Sequence, residues 1–600
     1  ETEKDGTVRV EAECLGGLLI EVGGNRVENA LKNIFLESGK SGTVEFDVIG
    51  PSIPGLTALR LRVILGDEVY EEETELSVRP VSPLQSRSGV GMVRPGDTEE
   101  IKLPDNWLEG TGRYQFRVTG RAAVRLGENL TCLLNYPYGC IEQTISTAFP
   151  LIYLADISAE ILPGAIGEEE CSRLIEAGIY RVISMQFSSG GFGYWPSATK
   201  EYRWGSIYAT HFLVEAEKAG YRIPGGRIEA ALGFLRDLLD LSPPPVDDSD
   251  SRRLRNNRTN KSYAGLVLAL AGKPEPGWTA RLAEEKESLG RSGLLYLIGA
   301  FIAEGRRKEA LELLALMPAI DDYGPPRERG GCLRSGIRDS ALELSIRLDI
   351  NPDDPAIPVL VRRLSGKSRL TTQENAMVLM ALGKYCRYSA GWPEQFKAVI
   401  VGIPGRDEVE FGEEDECFIQ WKGSTSGAIR ISNNGPGTVY YSWRSEGVPA
   451  SGMMEEEDRG IIIRRRFLDI EGDEIDISSL NQGDLAVAEV TVDAGDDEMD
   501  NLVVTDLLPA GLEIENAALK TSRLVSWVKK KSTLPLRHTE SRDDRLIVFA
   551  GAFSGKKVFY YLLRAVTPGD YIYPPIAAEC MYDPDLRSVS WGGRVLIDSP

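Results

Sequence analysis

Over residues 1 to about 120, apolar and polar side chains alternate in short runs bounded by Gly, Pro and Asn. Thr43-Val44-Glu45-Phe46-Asp47-Val48 and Leu59-Arg60-Leu61-Arg62-Val63-Ile64 are typical. A period of two puts successive side chains on opposite faces of an extended chain, so this zone predicts a β-sandwich. From about 125 to 392 Ala and Leu rise and the apolar spacing becomes helical, as in Tyr263-Ala264-Gly265-Leu266-Val267-Leu268-Ala269-Leu270. About a dozen helical segments separated by short Gly/Pro turns fit here, enough for a stack of helix pairs. Within the zone, Ser242 to Lys261 runs through three prolines into mixed charge and reads as an exposed, mobile loop. From about 393 to 600 the strand pattern returns, as in Leu485-Ala486-Val487-Ala488-Glu489-Val490-Thr491-Val492, with room for two further sandwiches divided near 446. The order β–α–β predicts a multidomain α+β assembly, with an all-helical domain inserted into, or lying between, antiparallel β-sandwiches.

A chain of 600 residues exceeds one typical domain, which agrees with this division. No apolar run approaches the roughly 20 residues that span a bilayer. The start, Glu1-Thr2-Glu3-Lys4-Asp5, lacks the basic and apolar regions of a signal peptide, and it is not Met. The net charge of −22 repels phosphate backbones and anionic lipid, so nucleic acid and membrane are poor partners. The eight cysteines are scattered, without a CxxC pair or zinc-like spacing, and no bridge is assigned among them. The only histidines are His211 and His538, so no His-rich metal site is expected and no cofactor is implied. His211, on a helical stretch with Phe212 and Leu213, reads as a core residue, and His538, in a polar basic stretch, as a solvated one. Asp247-Asp248-Ser249-Asp250 reads as a solvated charge cluster.

The stretch that carries chemistry is Tyr136-Pro137-Tyr138-Gly139-Cys140-Ile141-Glu142-Gln143-Thr144. Pro137 and Gly139 break what precedes, and the spacing predicts a helix from near Cys140 through Pro150. Cys140 and Gln143 are then i and i+3, on one face one turn apart. A thiol at a helix N-terminus is biased toward thiolate by the dipole and the free N–H groups. Held against a glutamine amide carbon with water excluded, it can displace ammonia and close a thioester. The product is an acyl group poised for attack by an amine or hydroxyl. A bare C-x-x-Q is far more often a buried thiol beside a surface amide, so the flanking residues decide.

Pro137, Tyr138, Gly139, Cys140, Glu142 and Gln143 match the signature Pro-Tyr-Gly-Cys-x-Glu-Gln, and the stretch resembles the thioester motif of the α2-macroglobulin and complement family. Ile141 at the variable position points to bacterial members. Further resemblance lies in Gly190-Gly191-Phe192-Gly193-Tyr194-Trp195, Tyr208 to Ala216, Thr371 to Ala376, Asn501 to Gly511 and Ala578 to Asp585. The resemblance, from about residue 90 to the end, implies the C-terminal region of a bacterial α2-macroglobulin. It implies a macroglobulin-like sandwich over 1–85, a CUB-like domain in two parts over 86–124 and 393–445, an α/α-toroid thioester domain over 125–392, and a final macroglobulin-like sandwich over 446–600. It also implies that Cys140 supplies sulfur and Gln143 the acyl carbon, and that Tyr136, Tyr138 and Met581 shield the bond. Glu142, inside the motif, is open to three readings: a modulator of proton transfer, a group that positions the glutamine, or an exposed helix residue.

By the same resemblance the protein is a single-use covalent trap for proteases, captured through lysine amines, and not a turnover enzyme. It is expected to be monomeric and periplasmic or in the cell envelope, with envelope partners, in bacterial defence. No bait-like segment is evident; in the family the bait lies well N-terminal of the thioester. Some complement-type members use a downstream histidine to favour hydroxyl targets. None occurs between Asp247 and Ala264, so direct attack by amines is implied. Two other readings stand beside this one. A thioester-bearing or purely structural surface adhesin fits the β-sandwiches. An isoprenoid enzyme on a helical toroid lacks its zinc or acidic cluster here.

Overall fold

The computed structural model describes residues 5–120, 129–130, 133–134, 139–154, 167–241, 251–317, 327–365, 367, 369–388, 397–406, 408–411, 416–425, 427–450, 455–515, 527 and 531–599. The strand Gly6–Leu15 pairs antiparallel with Asn29–Leu36 on one side and Gly55–Leu65 on the other, and Gly55–Leu65 pairs with Glu68–Val78. A three-stranded sheet of Leu19–Val22, Asn25–Val27 and Asp47–Ile49 accompanies this four-stranded one. Leu59 and Leu61 pack on a small core of Ala12, Cys14, Leu18 and Ile20. Arg60, on the opposite face, lies between its in-register neighbours Glu13 and Glu73 at 2.7 and 2.8 Å. The run Thr43 to Val48 is strand only from Asp47.

The second sandwich is assembled from both sides of the helical zone. The strand Arg113–Thr119 lies between Glu416–Lys422 and Val439–Gly447, and Gln85–Val93 closes that sheet. Thr98–Ile101 pairs with Ile429–Asn433 in the facing sheet, which Ala398–Val401 and Glu408–Phe411 complete. Tyr114, Phe116, Val118, Ile400, Ile431 and Val439 form its core. The helices are thus an insertion between strands that hydrogen-bond to one another. The last strand runs to Gly447, two residues beyond a boundary at 445.

The helix Ile141–Leu154 packs against Glu168–Ile183, Arg203–Lys218 and Thr372–Tyr388, and the last of these closes the ring of a helical toroid. From Ser251 onward the stretch read as a mobile loop is helix, because Ser251–Leu270 is one continuous element, and residues 242–250 lie outside the described residues. Its polar residues have tertiary partners: Asn256 donates to Glu328, Arg258 pairs with Glu285, and the Lys261 ammonium donates to the carbonyl of Leu239 while lying over Trp278. Residues 247–250, the acidic run, lie outside the described residues. Among the described residues no helix is long and apolar enough to cross a membrane.

The last sandwich pairs a six-stranded sheet with a four-stranded one. In Leu502–Leu507 and Arg545–Ala550 the residues do not alternate in polarity, because both faces of the sheet are covered. Leu502, Val504, Leu546 and Val548 point into the sandwich, whereas Val503, Ile547 and Phe549 join the core of the helical domain. Inside the sandwich, Asp506 accepts from Tyr561 at 2.6 Å and pairs with the buried Arg465. Arg465 also donates to the carbonyl of Pro574 at 2.9 Å and stacks over Tyr573. Breaking such a pair leaves a buried, uncompensated charge, at a cost of about 3–5 kcal/mol. Asp506→Ala is therefore expected to lower the last domain's unfolding transition by that amount in calorimetry; an unchanged transition would mean that the pair contributes nothing.

Candidate functional site

Thr144 donates its N–H to the Cys140 carbonyl at 2.9 Å, so Cys140 is the N-cap of the helix Ile141–Leu154 and Gln143 its third helical residue. The Gln143 side chain reaches back, and its Oε1 accepts the Cys140 backbone N–H at 3.2 Å. This is the reach-back half of a capping box, and it holds the amide carbon one turn above the thiol. The next free N–H, that of Ile141, is satisfied by the carbonyl of Tyr194 at 3.0 Å, so the turn Gly190 to Trp195 caps the helix. Gly190 has φ +90 and sits against the Ala230 carbonyl, where a Cβ would not fit. Cys140 is 0 % exposed and Gln143 2 %. Gln143 Nε2 makes no hydrogen bond among the described residues.

Glu142, also 0 % exposed, is held by three hydroxyls. Ser146 donates to Oε1 at 2.5 Å, Thr372 to Oε2 at 2.9 Å and Tyr582 to Oε2 at 2.9 Å. Burial pushes its carboxyl up, and these hydroxyls pull it partly back. The Tyr582 hydroxyl lies 3.9 Å from Cys140 Sγ and 3.0 Å from the Tyr194 hydroxyl. The thiol is not biased toward thiolate as its helix position suggested: burial first, then Glu142, pushes Cys140 up to about 12. A helix dipole contributes about 1 kcal/mol, less than a tenfold change in acidity, and that is too little to offset a dry site beside a carboxyl group.

The cover comes from the last sandwich. Met581 and Tyr582 are 6 % and 2 % exposed and belong, with Val503, Ile547 and Phe549, to the apolar cluster that contains Cys140, Phe192 and Trp195. His538 is not a solvated residue: it stacks on Trp195 at 4.6 Å, and Phe549 packs on the same ring at 4.5 Å. A polar rim surrounds this seam. Asn501, at φ 56, donates to the Arg329 carbonyl at 2.6 Å, accepts from Arg537 at 2.7 Å, and takes the Met581 N–H on its own carbonyl at 3.0 Å. Arg329 pairs with Asp583 at 3.5 Å, and Arg327 reaches both Glu374 and Asp585 at 3.0 and 3.6 Å. His211 packs edge-on against Phe149 and bonds Tyr263 at 2.9 Å, one layer behind the site. Tyr136 and Tyr138 lie outside the described residues. The sequence reading did not assign Tyr194, Tyr582, Ser146 or Thr372 to the site. Tyr194, Thr372 and Tyr582 lie inside stretches that resemble the family's, and that resemblance is the signal that could have found them.

Residues 460–585 match the family described as the bacterial α2-macroglobulin MG10 domain. The α2-macroglobulin of Escherichia coli is 28 % identical over 583 residues, covering 93 % of this chain and 34 % of that protein. A crystal structure of native E. coli α2-macroglobulin from domain MG7 to the C-terminus superposes with a TM-score of 0.81 at 24 % identity, covering 100 % of this chain and 95 % of that one. The Salmonella α2-macroglobulin reacted with methylamine gives 0.80 at 25 % identity, covering 100 % and 39 %. The chain spans about a third of the length of the curated relatives it matches.

A raised thiol pKa keeps the proton on sulfur at neutral pH and releases reactive thiolate only as pH climbs toward that value. In Gln143→Ala, where Cys140 can only be a thiol, iodoacetamide at pH 8 should alkylate it about a thousandfold more slowly than an unperturbed thiol, given the rise from 9.0 to about 12. The rate should rise with pH throughout the accessible range. Alkylation as fast as that of free cysteine would contradict the dry, protonated site.

Proposed function

This chain belongs to the bacterial α2-macroglobulin family, and from that premise we propose that it is the acylating portion of a protease trap, carrying an internal thioester between Cys140 Sγ and Gln143 Cδ. The observation that supports this most directly is the hydrogen bond from the Cys140 N–H to Gln143 Oε1 at 3.2 Å inside a buried helix start. A donor on that oxygen stabilises the tetrahedral oxyanion formed when sulfur attacks the amide carbon. Loss of ammonia then leaves the thioester. The relative reacted with methylamine, a small amine, is consistent with acyl chemistry at this site.

In this reading Met581 covers the bond, and Tyr136 and Tyr138 complete the cover. Water is excluded until the last sandwich lifts from the helical ring. Exposure then lets a lysine amine of an attacking protease take the acyl group, releasing the Cys140 thiol. The reaction is stoichiometric, since no group restores the thioester afterwards. The trigger is cleavage of a bait segment, which we place outside this chain, and the setting is the periplasm or cell envelope. A monomer suffices for it.

Intact mass before and after methylamine, with thiol counting, tests the reading. The expected result is a native chain lighter by one ammonia that takes up one methylamine and frees one thiol, at Cys140. Cys140→Ala should abolish both the mass loss and covalent protease capture while retaining the fold. A chain of unmodified mass in which Gln143 remains an amide in every fresh preparation would overturn it. Amine uptake that never depends on proteolysis would instead favour a surface adhesin.

A further inference from the structure

We propose that Glu142, acting through the Tyr582 hydroxyl, takes the Cys140 thiol proton as the thioester closes, so that closure waits until the last sandwich has docked on the helical ring. The inference rests on the thioester reading of Cys140 and Gln143.

The geometry is a continuous path from Cys140 Sγ to Tyr582 Oη at 3.9 Å and from there to Glu142 Oε2 at 2.9 Å. Tyr194 holds the same hydroxyl from a second side at 3.0 Å. Glu142 is a fully buried carboxyl whose hydrogen-bond partners among the described residues are Ser146, Thr372 and Tyr582, with no Lys or Arg among these. Burying a carboxylate without a cation is unfavourable. Three hydroxyl partners would serve a neutral amide equally well, so packing alone does not call for an acid here. A base does, because a thiol shut in a dry pocket cannot lose its proton to water.

The step balances within these residues. Sγ attacks Cδ of Gln143, its proton passes to Tyr582 Oη, and the Oη proton passes to Glu142. The oxyanion rests on the Cys140 N–H. The Cδ–Nε2 bond then breaks, and the proton held by Glu142 returns through Tyr582 to Nε2, which carries no competing hydrogen bond among the described residues and leaves as ammonia. Glu142 and Tyr582 end as they began. Tyr582 reaches this carboxyl from a separate sandwich, 440 positions away in the chain, so the relay is complete only in the docked arrangement. An undocked ring would hold the thiol and amide side by side without closing them, which protects the chain from forming a reactive acyl group before its cover is in place.

The test is to refold the chain over a series of pH values and follow ammonia loss by intact mass in the wild type, Glu142→Gln, Glu142→Asp and Tyr582→Phe. The wild-type rate should level off once Glu142 is ionised. Glu142→Gln and Tyr582→Phe should close at least tenfold more slowly, with a rate that keeps rising about tenfold per pH unit because hydroxide must replace the relay. Glu142→Asp should recover part of the rate and the plateau. If Glu142→Gln fails to fold, Tyr582→Phe decides the matter, since it deletes one oxygen and leaves the carboxyl in place. Variants that close at the wild-type rate, or more slowly but with the wild-type pH profile, would overturn the relay while leaving the thioester standing. A folded wild type that never loses ammonia would overturn both.

Discussion

Exclusion of water from the seam between the helical ring and the last sandwich is the constraint on which the rest of this structure depends. Cys140, Glu142 and Gln143 sit in that seam, all essentially inaccessible. The seam needs apolar side chains from two domains, and both contribute. The ring supplies Phe192 and Trp195; the sandwich supplies Val503, Ile547, Phe549, Met581 and Tyr582. That demand explains why two central strands of the last sandwich are apolar on both faces, where an ordinary outer sheet would show water a polar side. The helical domain also returns its chain to the sandwich it left, leaving from Arg113–Thr119 and re-entering at Ala398–Val401 of the facing sheet. An insertion whose ends are pinned in one sandwich has fewer orientations to search before it meets its cover.

Polar groups at the seam are arranged by distance from the thiol. At the centre, the partners of Glu142 among the described residues are hydroxyls. Ion pairs lie at the rim, where Arg327 and Arg329 of the ring face Asp585 and Asp583 of the sandwich. Asn501 ties the two zones together: its left-handed backbone turns its side chain toward the Arg329 carbonyl while its own carbonyl holds the Met581 N–H. Asn tolerates that backbone at lower cost than most residues. Rim pairs of this kind are individually weak and screened by salt, so they orient the docking while the apolar seam supplies its strength.

Much of this was legible along the chain. Alternation marked Leu59 to Ile64 as strand, and the structure sets Arg60 between Glu13 and Glu73 on the wet face as a period of two requires. Helical spacing marked the ring, and the i, i+3 spacing put Cys140 and Gln143 on one face. Where the reading failed, tertiary contact had overridden local composition. Ser251 to Lys261 looked like solvated loop because its polar residues were counted without their partners. His538 looked solvated because nothing local announces Trp195 beneath it. The thiol looked acidic because a helix dipole is a local property, whereas desolvation belongs to the assembled interior.

The sequence by itself determined the β–α–β order, the pairing of thiol and amide one turn apart, and the resemblance of the surrounding motif, because these depend on residues within a few positions of one another. Only the tertiary structure decided that Tyr582, a residue of the last sandwich, bridges Cys140 to Glu142, and that Thr372 of the final helix steadies the same carboxyl. Hydrogen bonds spanning 440 and 230 positions leave no periodicity to read, because each needs a domain docked or a ring closed before its partners meet.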